Sequence, residues 1–247
     1  MKSLVIQSQA NTFGDWAYLA IQKHFKKILK HEPAVLKDED PEELHQMRVG
    51  MRRLRSAMVG FSLAVDLPAA GNPKKIGSIA KVLGKLRDLD VMNEALTQEH
   101  FAKLPSQEQE QLTLTLKTLA KRRKKALKNV HEVLNNKPYL KLKQSLQNWL
   151  DKPRYTAIAD VAIEMVLPDL LIPQLSRLLL HPGWLVGVTV EGGEIIFPEA
   201  LSSEQVDCLL ENKGTLLHDL RKEAEGVTER LKSMLYKVYG SNAFKVK

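Results

Sequence analysis

The chain has 247 residues, 44% apolar and only 6% aromatic, which suits one large or two small domains of helices with solvated faces and argues against a β-sandwich. Its single cysteine excludes a disulfide scaffold. The net charge of +8 is uneven: residues 1–150 carry 26 Lys and Arg against 15 Asp and Glu, while residues 151–247 carry 11 against 14, so a polyanion partner is expected for the N-terminal part.

Asn11 to Lys30 reads as a first amphipathic helix, ended by the breaker His31-Glu32-Pro33. Asp40-Pro41 with Glu42 and Glu43 supplies an N-cap, a first-turn proline and two carboxylates, so a second helix is expected from there to about Leu67. Gly71-Asn72-Pro73 opens a third, running to Phe101, and Leu104-Pro105-Ser106 leads into a fourth that ends before Pro138. Four helices with short connections favour an antiparallel bundle. Beyond it, Tyr139 to Leu150 and Ala157 to Leu180 look helical, the latter kinked at Pro168 and Pro173. The β-branched residues of 184–197 flank Gly192-Gly193 and predict a small hairpin. A last helix runs from Ser203 or Lys213 to Tyr239.

The apolar run Leu4-Val5-Ile6 is too short for a signal peptide, and Ala157 to Leu180 contains Asp160, Glu164, Asp169 and Arg177, which makes a membrane span costly. The expected location is cytoplasmic. Cys208 has no second cysteine with which to form a redox pair or zinc site and is expected to be a buried small hydrophobe.

At about 100° per residue, His45, Arg48, Arg52 and Arg55 fall within an arc of about 80°. The stripe flanks the apolar face of Met47, Met51, Leu54, Met58 and Phe61, while Arg53 points elsewhere. The fourth helix repeats the arrangement with Lys117, Lys121, Lys124, Lys128 and His131, supplemented by Arg122 and Lys125. Arg123 projects from that helix's apolar side, where a lone cation needs a partner. Lys74, Lys81 and Lys85 line up on the third helix. A merely solvated face normally mixes signs at i,i+4; these stripes have almost no acidic residues in register, and the arginines of the second suit bidentate phosphate recognition.

Leu44-His45-Gln46-Met47-Arg48-Val49-Gly50-Met51-Arg52-Arg53-Leu54-Arg55, followed by Phe61, resembles the signature helix of the conserved histidine α-helical domain family, called CHAD. So does Leu83-Gly84-Lys85-Leu86-Arg87-Asp88-Leu89-Asp90-Val91, with that family's glycine, Arg-Asp pair and second Asp. Leu217-His218-Asp219-Leu220-Arg221-Lys222-Glu223 looks like a second copy of the His helix, an internal repeat. The resemblance implies two helical bundles related by pseudo-symmetry, a basic groove that binds inorganic polyphosphate, placement on polyphosphate granules and no catalysis by the domain itself. It further implies that His45, Arg48, Arg52, Arg53 and Arg55 contact phosphates, joined by the basic turn Lys121 to Lys128 and by His218, Arg221 and Lys222. Arg87, Asp88 and Asp90 are expected to be structural, since an Arg beside two carboxylates suits an internal ion pair.

The second His helix reads Glu225, Gly226 and Thr228 where the first has Arg52, Arg53 and Arg55, which puts its anion affinity in doubt. Residues 1–137 are thus expected to form a complete bundle, and 138–247 a second, incomplete repeat carrying the hairpin. The apolar face this leaves would be covered by the 138–200 segment or by another chain, as in a homo-oligomer.

Motifs for catalysis are missing. Glu42-Glu43-Leu44-His45 is the chain's one Glu-x-x-His, where a di-iron bundle needs two, and there is no His-Glu-x-x-His, phosphate-binding loop or Gly-x-Ser-x-Gly. No cofactor or metal is expected. The expected function is polyphosphate binding; an RNA-binding helical module is the main alternative, although no aromatic lies between Ser106 and Lys137 to stack on bases. A non-catalytic regulator of a phosphate-metabolising enzyme is the third.

Overall fold

The computed structural model describes residues 11–100, 105–196 and 202–239. It is all-α apart from one hairpin, and divides into compact units of residues 1–163 and 164–247.

In the first unit the helices are α1 (Phe13–Lys37), α2 (Pro41–Gly60), α3 (Pro73–Glu94), α4 (Ser106–Asn135) and α5 (Lys137–Asp151). Their starts are set by short polar side chains. Thr12 and Asp15 form a capping box, the Asp40 carboxylate accepts from the Glu42 N–H at 2.8 Å, Asn72 caps Lys74, and Asn136 caps Tyr139. Consecutive helices α1 to α4 pack in sequence. The core they share includes Ile21, Phe25, Met47, Met51, Leu54, Ile76, Leu83 and Leu86, closed by Leu134 of α4 and by Tyr139 and Leu146 of α5.

Three helix ends differ from expectation. α1 continues through Pro33 to Lys37, because the buried Glu32 and Val35 hold the last turns against the core; it stops at Asp38, a non-glycine residue at φ 56°. α2 ends at Gly60 instead of Leu67, since Phe61, Ala64 and Val65 turn inward and Phe61 packs 5.6 Å from Phe13. α3 ends at Glu94 and passes into a π-turn, Ala95–His100. The expected end at Phe101 lies outside the described residues.

The division between units falls after Ile163, not at 137. Tyr139, Leu142, Leu146 and Trp149 bury one face of α5 in the first unit, and the following segment runs back across it. Val65 bridges Tyr155, Thr12 bridges Ala162, and the Phe13 N–H donates to the Val161 carbonyl at 2.8 Å.

In the second unit α6 (Ile163–Leu179) contains Pro168 and Pro173, a 3₁₀ turn spans Pro182–Leu185, and α7 covers Ser203–Tyr239. The expected hairpin is present but shorter: β1 (Thr189–Glu191) pairs with β2 (Glu194–Ile196) around Gly192 and Gly193, both at positive φ. Trp184 and Leu185 belong to the 3₁₀ turn, and Phe197 lies outside the described residues. Cys208 is exposed on α7, not buried, because that turn of the helix faces solvent.

Candidate functional site

Two glycines on α3 decide where the α2 arginines go. A Cβ at Gly84 would stand 3.3 Å from Arg48 Nε, and one at Gly77 would stand 3.4 Å from Arg55 Nη1. Both guanidinium groups therefore lie flat across α3 at points where it has no side chain. Arg48 and Arg55 are seven residues apart, as are Gly77 and Gly84, and the pairing runs in opposite directions, so α2 and α3 are antiparallel in a defined register. That register sets Lys81 level with Arg52 and Lys85 level with Arg48. Arg52, Arg55, Lys81 and Lys85 are exposed, Arg48 and His45 half-buried. The result is a row of basic side chains along the α2–α3 face. Arg48 and Arg55 lie about 10 Å apart along it, and it presents planar, bidentate donors beside flexible ammonium groups.

Arg53 leaves this row for the opposite flank of α2. There it sits close enough to Lys27 of α1 to help burial push the Lys27 ammonium below the usual lysine range, with Lys30 and Lys23 adding to the effect. Lys23, Lys27 and Lys30 form a further basic row at spacings of four and three, outside the stripes expected from the sequence. The signal was present in that spacing, but Lys26 and the buried His24 between them blurred it.

On α4 the expected binding residues separate. Lys117, Lys121, Arg122, Lys124, Lys125 and Lys128 are exposed, on a helix packed against α3 and α5. Arg123 does not join them. It donates to both Asp38 oxygens at 2.7 Å and, through Nε, to Asp90 Oδ1 at 2.7 Å. The hydrogen bonds it donates to Asp38, foremost, hold its proton more firmly than an ordinary guanidinium's. The Asp90 side chain is 3% exposed and its second oxygen is buried without a hydrogen bond, so Arg123 is a cation that the fold itself consumes. Its assignment to the anion site is corrected accordingly.

The expected pairing of Arg87 with Asp88 and Asp90 is corrected too. Asp90 is structural, but its partner is Arg123; Arg87 donates to the Pro41 carbonyl at 3.4 Å, and Asp88 is exposed. Around them lies a polar cleft of about 380 Å³, where Asp40, Glu42, Asp90 and Glu94 outnumber Arg87 and Arg123. Its charge is wrong for a polyanion. No group of three His, Cys, Asp or Glu side chains suited to a metal occurs among the described residues.

In the second unit, His218, Arg221 and Lys222 are exposed on α7, and Arg221 Nη2 donates to His218 Nδ1 at 3.4 Å. Leu220, beside them, faces the 3₁₀ turn, where a Cβ at Gly183 would come 2.8 Å from it. The repeat of His45 and Arg48 is thus on the surface of its own unit.

The CHAD domain family model matches residues 19–234, spanning both units. The chain belongs to the CHAD family. No curated protein matches it. Among solved structures, the CHAD domain from the plant Ricinus communis is 20% identical with a TM-score of 0.58, the match covering 93% of this chain and 66% of that one. PptA from Streptomyces chartreusis is 16% identical with a TM-score of 0.57, over 89% of this chain and 76% of that one. At these identities the likeness establishes the CHAD fold. None of the described helices is long and apolar enough to cross a membrane.

Proposed function

We propose that this CHAD protein binds inorganic polyphosphate along the α2–α3 groove and thereby associates with polyphosphate granules. The observation that carries the reading is the placement of Arg48 and Arg55 over Gly84 and Gly77, level with Lys85 and close to Lys81. A uniform polyanion needs no base-specific donors, only a row of cations with room between them, and that is what the groove supplies. Arg53 with Lys23, Lys27 and Lys30 forms a second basic row on the α1 side, and the α4 lysines add long-range attraction. Binding, without bond making or breaking, accounts for these features.

The test is the double substitution Arg48→Ala/Arg52→Ala. It should abolish retention of long-chain polyphosphate while the helical circular dichroism and melting temperature stay close to those of the parent, since both side chains reach solvent. Unchanged retention would overturn the assignment. Competition separates polyphosphate from RNA: single-stranded RNA that displaces polyphosphate at equal phosphate concentration would favour a nucleic-acid module.

A further inference from the structure

The polar cleft beside Arg123 contains a carboxylate that the fold leaves incomplete. Asp90 is one of its wall residues, with a side chain only 3% exposed; Arg123 donates to Oδ1 at 2.7 Å, while Oδ2 is buried and has no hydrogen-bond partner. A buried charged oxygen without a donor is costly, so its presence calls for a donor from outside the chain. The charged and hydroxyl donors of the walls are engaged elsewhere. Arg123 gives both terminal nitrogens to Asp38, Arg87 donates to the Pro41 carbonyl, and Thr97 Oγ1 donates to the carbonyls of Asn93 and Glu94.

The charge and size of the cleft specify that donor. Because α2 and α3 are antiparallel, the first turn of α2 lines the cleft together with the last turns of α3, and the 3.4 Å contact of Arg87 with the Pro41 carbonyl joins the two walls. Asp40 and Glu42 stand on the α2 wall, and Asp90 and Glu94, one helical turn apart, on the α3 wall. Asp40 Oδ1 accepts from the Glu42 N–H and Glu42 Oε1 from Gln46, which leaves each carboxylate a second oxygen. Against Arg87 and Arg123, these four carboxylates give the walls a net charge of −2. They are divided between two helices, and no three such groups among the described residues converge as a metal ion needs. A cleft of about 380 Å³ instead suits a small organic molecule. An ammonium group carries three donors and no acceptor, so one can complete Asp90 Oδ2 and share Glu94. A second ammonium on a short chain then meets Asp40 and Glu42, and the two charges offset the walls. We propose that this cleft binds a small aliphatic diamine as its dication, one ammonium at Asp90 and Glu94 and the other at Asp40 and Glu42. The inference does not rest on the polyphosphate reading, since none of these residues belongs to the basic row of Arg48, Arg52, Arg55, Lys81 and Lys85.

Isothermal titration calorimetry of the full chain with 1,4-diaminobutane at fixed ionic strength, after removal of polyphosphate and nucleic acid, should show saturable binding of one diamine per chain. The net charge of +8 disfavours dications over the surface at large, so saturation reads a specific site. 1-Aminobutane, with a single ammonium, should bind at least roughly ten-fold more weakly. Glu94→Gln, an exposed and nearly isosteric change, should weaken diamine binding roughly five-fold at an unchanged melting temperature. Asp88→Asn, exposed on the same helix outside the cleft, should leave it unaltered. Asp90→Asn should abolish binding; because it also disturbs the pairing with Arg123, Glu94→Gln keeps the test independent of folding. No saturable binding would overturn the proposal and leave water as the partner of Asp90 Oδ2. Binding that ignores Glu94→Gln would place the diamine elsewhere, and saturable binding of magnesium ions in place of the diamine would make the cleft a metal site; either result refutes it.

Discussion

Gly84 seats Arg48 in the proposed site, and a substitution there separates binding from folding. Alanine in a helix interior is favoured over glycine by up to about 1 kcal/mol, so Gly84→Ala should leave the bundle equally or more resistant to heat. Its Cβ, however, would meet Arg48 Nε at 3.3 Å and push the guanidinium out of its seat. Polyphosphate affinity should fall roughly two- to five-fold, the worth of a weakened charge-assisted contact, as measured by titration alongside a thermal melt. A variant with raised stability and unaltered affinity would show that the seat does not matter. The arginine stripe was legible in the sequence because it repeats at helical spacing. Gly77 and Gly84 share the spacing of Arg48 and Arg55, but two sevens on different helices mean nothing until the antiparallel register brings them together.

Helices are pinned to one another by a few polar contacts, and these can be tested apart from the groove. Glu32 of α1, 8% exposed, accepts from Tyr139 Oη at 2.7 Å and from Lys143 at 2.5 Å, tying α1 to α5. Burial first, then the hydrogen bond to Glu32, pushes the Tyr139 phenol far above the usual tyrosine range. The native state thus keeps a proton that the unfolded chain releases above about pH 10, so stability is full below that pH and declines as pH rises beyond it. Tyr139→Phe should cost about 1–2 kcal/mol in urea unfolding at neutral pH and make the alkaline decline shallower, leaving the share of Tyr155, whose phenol burial pushes up to about 12. Arg123→Ala should instead strand Asp90, costing roughly 2–4 kcal/mol, while polyphosphate retention by the folded fraction persists. From the sequence Arg123 belongs to the basic turn and also needs a partner on the apolar side; Asp38 and Asp90 are distant in the chain, so only the fold supplies them. The same tertiary override explains α1, where the proline rule ended a helix that Glu32 and Val35 hold in place.

At the scale of the whole molecule, the +11 balance of residues 1–150 resolves into parts with different roles. Arg123 is neutralised internally, the α4 lysines face solvent on their own helix, and Arg48, Arg52, Arg55, Lys81 and Lys85 share the α2–α3 face. Salt should distinguish these roles. If five groove cations each displace counterions, the logarithm of the association constant should fall with the logarithm of salt concentration at a slope of roughly −3 to −4. Arg48→Ala/Arg52→Ala should then reduce that slope by about 1.5 as well as lowering affinity. Lys121→Ala/Lys124→Ala, which acts from a distance, should slow association at low salt and change the slope by less than one. Equal effects of the two double substitutions on the slope would mean that the polyanion lies across α4 as much as in the groove, and would redraw the site around both helices.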